Sequence, residues 1–383
     1  MTSAETPSQQ QQKSSRSRQI LKITLEVVFM VAILAGLLYY IGTTVPSTFK
    51  PGEMTILKGV DYIYTTILTI KVEYLLLAFL MYFGINILFT VRLRRVLYKN
   101  GVKTSFGKTL LAQYAGMLTS DVTPGRSGYI LTPVYLRDQD VPTSKSLSSV
   151  LGIQTFEFLI KAIGGVGAII YLIEFVPRQT WNNIFPTQIA GVNIGLLIAV
   201  LGVCLMMTGA IVLAAFTWSK RAISIFDRIA NSRYLKRFTG GLMGKLEEYK
   251  VSAKSTGRAI PGILILSVSC LILKGFEWWF LGYALGITTI PWIAYLLIHP
   301  LVTALAFVPI TPAGIGVQEF GIVGIFGLLG IAAPIAVVFA LLARGLLIFE
   351  DLAGVPQIVK STSLIFSRKK PETTIEPGPP KPI

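Results

Sequence analysis

The strongest constraint in this sequence is an unbroken apolar run at 193–216, NIGLLIAVLGVCLMMTGAIVLAAF, which carries no formal charge. As a helix rising about 1.5 Å per residue, it is long enough to cross a hydrocarbon core of about 30 Å. Hydrocarbon offers backbone amides no partner, so such a segment must satisfy them internally, as a helix does. A second uncharged run, VVFMVAILAGLLYYI, fills 27–41, and hydrophobic runs recur almost to the end of the chain. Only 14% of the residues are charged, against about a quarter in an ordinary soluble protein. The expected fold class is an all-α integral membrane protein with one polytopic domain over 20–360. The flanking segments 1–19 and 361–383, rich in Ser, Gln, Lys, Arg and Pro, read as disordered tails.

Spans are expected near 23–42, 72–91, 147–173, 191–217, 260–285 and 332–355. Two further regions, 106–136 and 291–329, are apolar but cut by Pro and Gly. The net charge of +16 would suggest nucleic acid in a soluble protein. Here the bases fall mainly in short loops, where Lys and Arg set orientation and meet anionic headgroups, so no nucleic-acid partner is expected. The first span is longer than a usual signal core, and no Ala-x-Ala site follows it, so it is not read as a cleavable signal. Lys13, Arg16, Arg18 and Lys22 place the N-terminus in the cytoplasm. Arg92, Arg94, Arg95, Lys99, Lys103 and Lys108 form a second inside signal. The basic segment 218–259 reads as the largest cytoplasmic loop, with an amphipathic helix on the headgroups. Both termini are thus expected inside, in a multi-pass protein of the cell membrane.

These signs alternate consistently only if both broken regions return to the side they left, as re-entrant hairpins. Their tips are alike: Thr123-Pro124-Gly125-Arg126-Ser127-Gly128 and Thr311-Pro312-Ala313-Gly314-Ile315-Gly316. A span precedes and follows each, over about 72–173 and 260–355, and the two units enter with opposite polarity. The expected architecture is about six spans plus two hairpins in an inverted-topology repeat. Broken backbone at membrane depth is tolerated where protein buries it or water reaches it, which marks a transport site.

Ionisable residues inside spans cost a few kcal/mol each, so each is a functional candidate. Arg126 sits in the first tip and Glu319 just beyond the second. Glu157 and Lys161 share a helix face after the first hairpin, and Arg344 follows the second hairpin at nearly the interval that separates Glu157 from the first. On the functional reading, Arg126 and Arg344 hold a phosphate with guanidinium forks. Thr123, Gly125, Thr311 and Gly314 belong to the hairpin tips, whose half-helix amides would aim at the anion. Glu157 and Glu319 would neutralise the arginines in the empty state or carry a proton. On the structural reading, Glu157–Lys161 and Glu319–Arg344 are ion pairs that lock the fold. Lys161 and the Lys274/Glu277 pair lean that way. Asp121 reads equally as a hairpin-tip cap or a coupling carboxylate.

The stretches FGKTLLAQYAGMLTSDVTPGRSGY, IQTFEFLIK, PLVTALAFVPITPAGIGVQEFGIVGIFGLLGI and ALLARGL together resemble the transmembrane region of the lysylphosphatidylglycerol synthases, the flippase-like domain family. The resemblance covers roughly 20–360, and its most specific part is the block at 309–319 with Arg344. At the first tip the family often has Pro-x-x-x-Gly-Glu; here that acid is missing, and Arg126 makes the tip more cationic. The resemblance implies a helical fold with re-entrant segments and a role in translocating phospholipids. Two-domain members add a soluble C-terminal domain that transfers the aminoacyl group. This chain ends soon after its last span and is expected not to perform that synthesis. Stand-alone archaeal relatives are linked to dolichol-phosphate sugar assembly, so a polyprenyl phosphate is a second substrate expectation.

The function expected is flipping or scrambling of an anionic phospholipid or lipid-linked phosphate, with no enzymatic step. A membrane enzyme or accessory factor acting on polyprenyl-phosphate-linked sugars is the alternative. No Walker motif occurs. Cys204 and Cys270 lie in apolar segments, and the lone His299 cannot complete a zinc site. No metal or cofactor is expected, and a homodimer is compatible with the sequence without being required.

Overall fold

The computed structural model describes residues 32, 35–45, 52–219, 242–306 and 314–367. Among these, helix dominates, and the only strands are the paired Gln188–Ile189 and Val192–Asn193. Helix α1 covers 35–44. It is followed by α2 (Thr55–Leu68), α3 (Val72–Lys99), α4 (Phe106–Asp121), a 3-10 segment (Pro124–Leu131), α5 (Thr132–Tyr135), α6 (Thr143–Phe175), α7 (Arg178–Ile184) and α8 (Ile194–Trp218). The second half holds α9 (Leu242–Gly257), α10 (Ile260–Ala284), α11 (Trp292–Leu305), α12 (Val317–Leu328), α13 (Ala333–Asp351) and α14 (Val355–Ser367).

The helix ends follow from local chemistry. Helix α3 carries Glu73 in its first turn and Lys99 in its last, each opposing the charge of the helix dipole there. The Asn193 side chain caps α8 by accepting from the Gly195 N–H at 2.9 Å. Its amide also donates to the Phe185 carbonyl at 2.7 Å, tying the small β-turn to α7. Pro261 and Pro334 open α10 and α13, where a missing N–H costs nothing.

Among the described residues, four helices are long and apolar enough to cross a membrane: α3, α6, α8 and α10. They match four expected spans. Large apolar residues such as Ile163, Ile170, Leu201, Ile211 and Ile265 remain exposed on them, as lipid-facing surfaces require. The chain is an all-helical, multi-pass membrane protein. The expected span 23–42 lies largely outside the described residues. Segment 332–355 forms α13, whose residues Ala336–Ala340 are all buried in protein.

Helix α3 packs along α10, and α6 packs against both α8 and α11. Small residues set the approach. A Cβ on Gly164 would lie 2.8 Å from the Pro300 ring, and one on Gly202 would lie 3.1 Å from the Ala304 carbonyl oxygen. Aromatic contacts join the second half: Phe339 sits 4.7 Å from Phe326 and 5.3 Å edge-on to Trp278, ring centre to ring centre.

Both broken regions fold back on themselves. The 3-10 segment returns along α4, and a Cβ on Gly128 would lie 2.4 Å from the Thr119 backbone. The Thr119 and Tyr135 hydroxyls hydrogen-bond at 2.7 Å across this hairpin. In the second region α11 and α12 pack together, and Gly314 lies against Ala306. Residues 307–313, which include Thr311, lie outside the described residues.

Two expectations are corrected. Arg92 is not a loop residue: α3 continues to Lys99 and buries it. Of the basic segment 218–259, residues 220–241 lie outside the described residues, and the expected amphipathic helix on the headgroups falls largely there; α9 is described beside it. Tyr249, Ser252, Ala253 and Thr256 are buried, and the Ala253 carbonyl accepts from the Trp218 indole at 3.0 Å. Second, 361–367 are not tail but the end of α14. Gln357 anchors that helix by donating to the Tyr135 carbonyl at 2.6 Å, and Lys360 pairs with Asp138 at 2.8 Å.

Candidate functional site

Two adjoining cavities open between the helices. The larger, about 110 Å³, is lined from α3 by Tyr82, Phe89 and Arg92, and from α6 by Glu157 and Lys161. Helix α10 contributes Ser267, Cys270 and Lys274, and α11 contributes His299 and Thr303. That volume holds several waters or a phosphate group, because one water needs only about 10–15 Å³ measured this way. The smaller cavity is lined by Asp121, Gln318, Glu319 and Arg344. Lys274, His299 and Leu347 line both.

In the larger cavity Arg92 is 4% exposed, which for a cation is tolerable only with partners on every side. One guanidinium nitrogen donates to Ser267 Oγ at 2.7 Å, and another donates to Glu157 Oε2 at 2.8 Å. The guanidinium also lies 4.6 Å from the Phe89 ring centre. Lys161 donates to the other Glu157 oxygen at 2.9 Å. Two cations thus share one carboxylate, and this wall carries a net positive charge. Lys274 donates to both oxygens of Glu277, at 2.8 and 2.6 Å, and lies 4.3 Å from the Tyr82 ring centre.

The smaller cavity is built on the second hairpin. Gly316 has φ +85, a conformation open to glycine, and its N–H donates to Glu319 Oε2 at 2.7 Å. Gly314, at φ +68, also brings the chain against Ala306, where a Cβ would lie 2.9 Å from the alanine methyl. Arg344 donates through Nε to Glu319 Oε1 and through a terminal nitrogen to Gln318 Oε1 at 3.1 Å.

Of the sequence candidates, Glu319 and Arg344 meet directly, as does Glu157 with Lys161. Glu157 pairs with Lys161, as the structural reading expected, and with Arg92, a partner not named for it from the sequence. Thr123 holds the first tip: its Oγ1 accepts from the Gly128 N–H at 2.7 Å. Gly125 and Arg126 fall in the 3-10 segment, but the Arg126 side chain lies outside what the structure describes. Gly314 shapes the second tip. Arg92, Ser267 and His299 were missed as site residues. For Arg92 a signal existed: Tyr82, Ile85 and Phe89 recur at helical spacing and carry their buried face to Arg92.

The fold and cavities define a class: a helical membrane protein whose spanning helices enclose charged side chains in a water-sized interior space. The sequence matches the family model for the lysylphosphatidylglycerol synthase TM region over residues 27–350, and the chain belongs to that family. The family associates it with membrane-lipid function. No curated protein matches the sequence.

Proposed function

We propose that this protein translocates an anionic lipid, either a phospholipid or a polyprenyl phosphate, across the cell membrane without altering it covalently. The observation that carries this reading is the convergence of Arg92, Lys161 and Lys274 from α3, α6 and α10 on one cavity. Charged groups inside a membrane domain are costly and mark substrate pathways. A phosphate entering this space would compete with Glu157 and Glu277 for cations already desolvated, so little reorganisation is needed to receive it. Arg344 would serve as the next station, since Lys274 lines both cavities. Acyl or prenyl chains would remain in the bilayer beside the apolar helix faces.

The test is reconstitution into liposomes holding fluorescent anionic, zwitterionic or polyprenyl-phosphate lipids, with a membrane-impermeant quencher outside. Protein-dependent loss of protection is expected for an anionic class and not for the zwitterionic one. Arg92→Ala and Arg344→Ala should each lower the rate by at least about tenfold, the value of one lost charged hydrogen bond. A folded Arg344→Ala variant with full activity rejects the second station. No movement of any lipid rejects the proposal and turns the search to a covalently altered polyprenyl-phosphate sugar.

A further inference from the structure

Helix α13 ends in two adjacent acids that the translocation pathway does not use. Glu350 is 6% exposed, and neither of its carboxylate oxygens has a hydrogen-bond partner among the described residues. Asp351 is fully buried and accepts from the Tyr82 hydroxyl at 2.9 Å. The chain next to them is pressed against α4, where a Cβ on Gly354 would lie 2.3 Å from the Ala115 nitrogen. The ionisable groups around Glu350 are Lys274 and Glu277 on α10, Tyr114 on α4 and the adjoining Asp351, which holds the Tyr82 hydroxyl of α3. Lys274 is also the residue shared by both cavities.

We propose that Glu350 is a proton-binding site coupled through Lys274 to the anion cavity, so that a proton and an anionic headgroup are taken up and released together. A buried carboxylate without hydrogen bonds is costly as an anion, and it is relieved by taking a proton. Glu277 nearby favours protonation, and its partner Lys274 is the positive charge that opposes it. A phosphate drawn to Lys274 offsets that charge, so the headgroup favours the proton on Glu350. By linkage the proton equally favours the headgroup. No bond other than O–H changes: water supplies the proton to the Glu350 carboxylate on one side and receives it on the other. Asp351 is tied to Tyr82, whose ring lies under Lys274, which connects the acids to the cavity.

This rests on the translocation reading, and the experiment separates the two. Labelled phosphatidylglycerol or polyprenyl phosphate is placed in the outer leaflet of proteoliposomes. Inward movement is then compared without a gradient, with an acid exterior, with an acid interior and with a sodium gradient. An acid exterior should speed wild-type movement several-fold, an acid interior should slow it, and sodium should do neither. Glu350→Gln should bring the two proton-gradient rates together, and Glu350→Asp should keep a response. Gln is a neutral isostere, so on this proposal the variant keeps the wild-type thermal unfolding temperature in detergent; a large fall would overturn it. Wild-type movement that ignores the proton gradient, or follows sodium instead, overturns the coupling alone. No lipid movement under any condition overturns translocation and the coupling with it.

Discussion

Arg92 and Lys161 both lean on Glu157, so removing that one acid leaves two cations in the membrane domain without the carboxylate they share. Glu157→Gln should lower stability by about 3–5 kcal/mol, seen as earlier unfolding in detergent. Combining it with Arg92→Met and Lys161→Met should recover most of that loss, because uncharged side chains then replace the whole cluster. On the proposed function, lipid movement stays lost in the triple variant; recovery of movement would make the cluster purely structural. Glu157, Lys161, Glu319 and Arg344 were legible because a charge stands out in an apolar run. Arg92 was passed over because it opens a basic run that reads as loop, although the apolar spacing of α3 runs up to it. Its partners Glu157 and Ser267 lie far along the chain, and only tertiary packing brings them together.

At the scale of elements, the sequence announced both broken regions through their Pro and Gly, and the fold-back is what those residues permit. Gly128→Ala places a methyl against the Thr119 backbone and should cost about 1–3 kcal/mol by overpacking. Gly107→Ala, on α4 with open space around it, should be neutral or slightly stabilising by helix propensity. Thermal unfolding of the two variants side by side checks this; equal effects would mean the hairpin does not depend on that close approach. Helix α9 shows the same dependence on distant partners. Thr256 is buried and accepts from Asn100 at 3.1 Å, and the Ser255 hydroxyl donates to the Lys99 carbonyl at 2.7 Å. The end of α3 supplies these partners, which no local pattern records.

For the whole molecule, membership of a membrane-lipid family and four long apolar helices agree with the reading from hydropathy. The inverted arrangement of the hairpins, and termini on the cytoplasmic side, remain our proposal from the distribution of bases. In a background with both native cysteines replaced, Arg126→Cys should label from the cytoplasm and Ala313→Cys from outside with an aqueous thiol reagent. Labelling of both from one side would reject that topology. The native cysteines have a use of their own. Cys270 is a buried part of the larger cavity's wall, and Cys204 faces outward. Cys204 lies midway along α8 on its lipid-facing side, where an un-ionised thiol reacts slowly and serves as the background. On the proposed function a small thiol reagent should reach Cys270 faster as anionic lipid is added, and that change in speed would time how often the cavity is open.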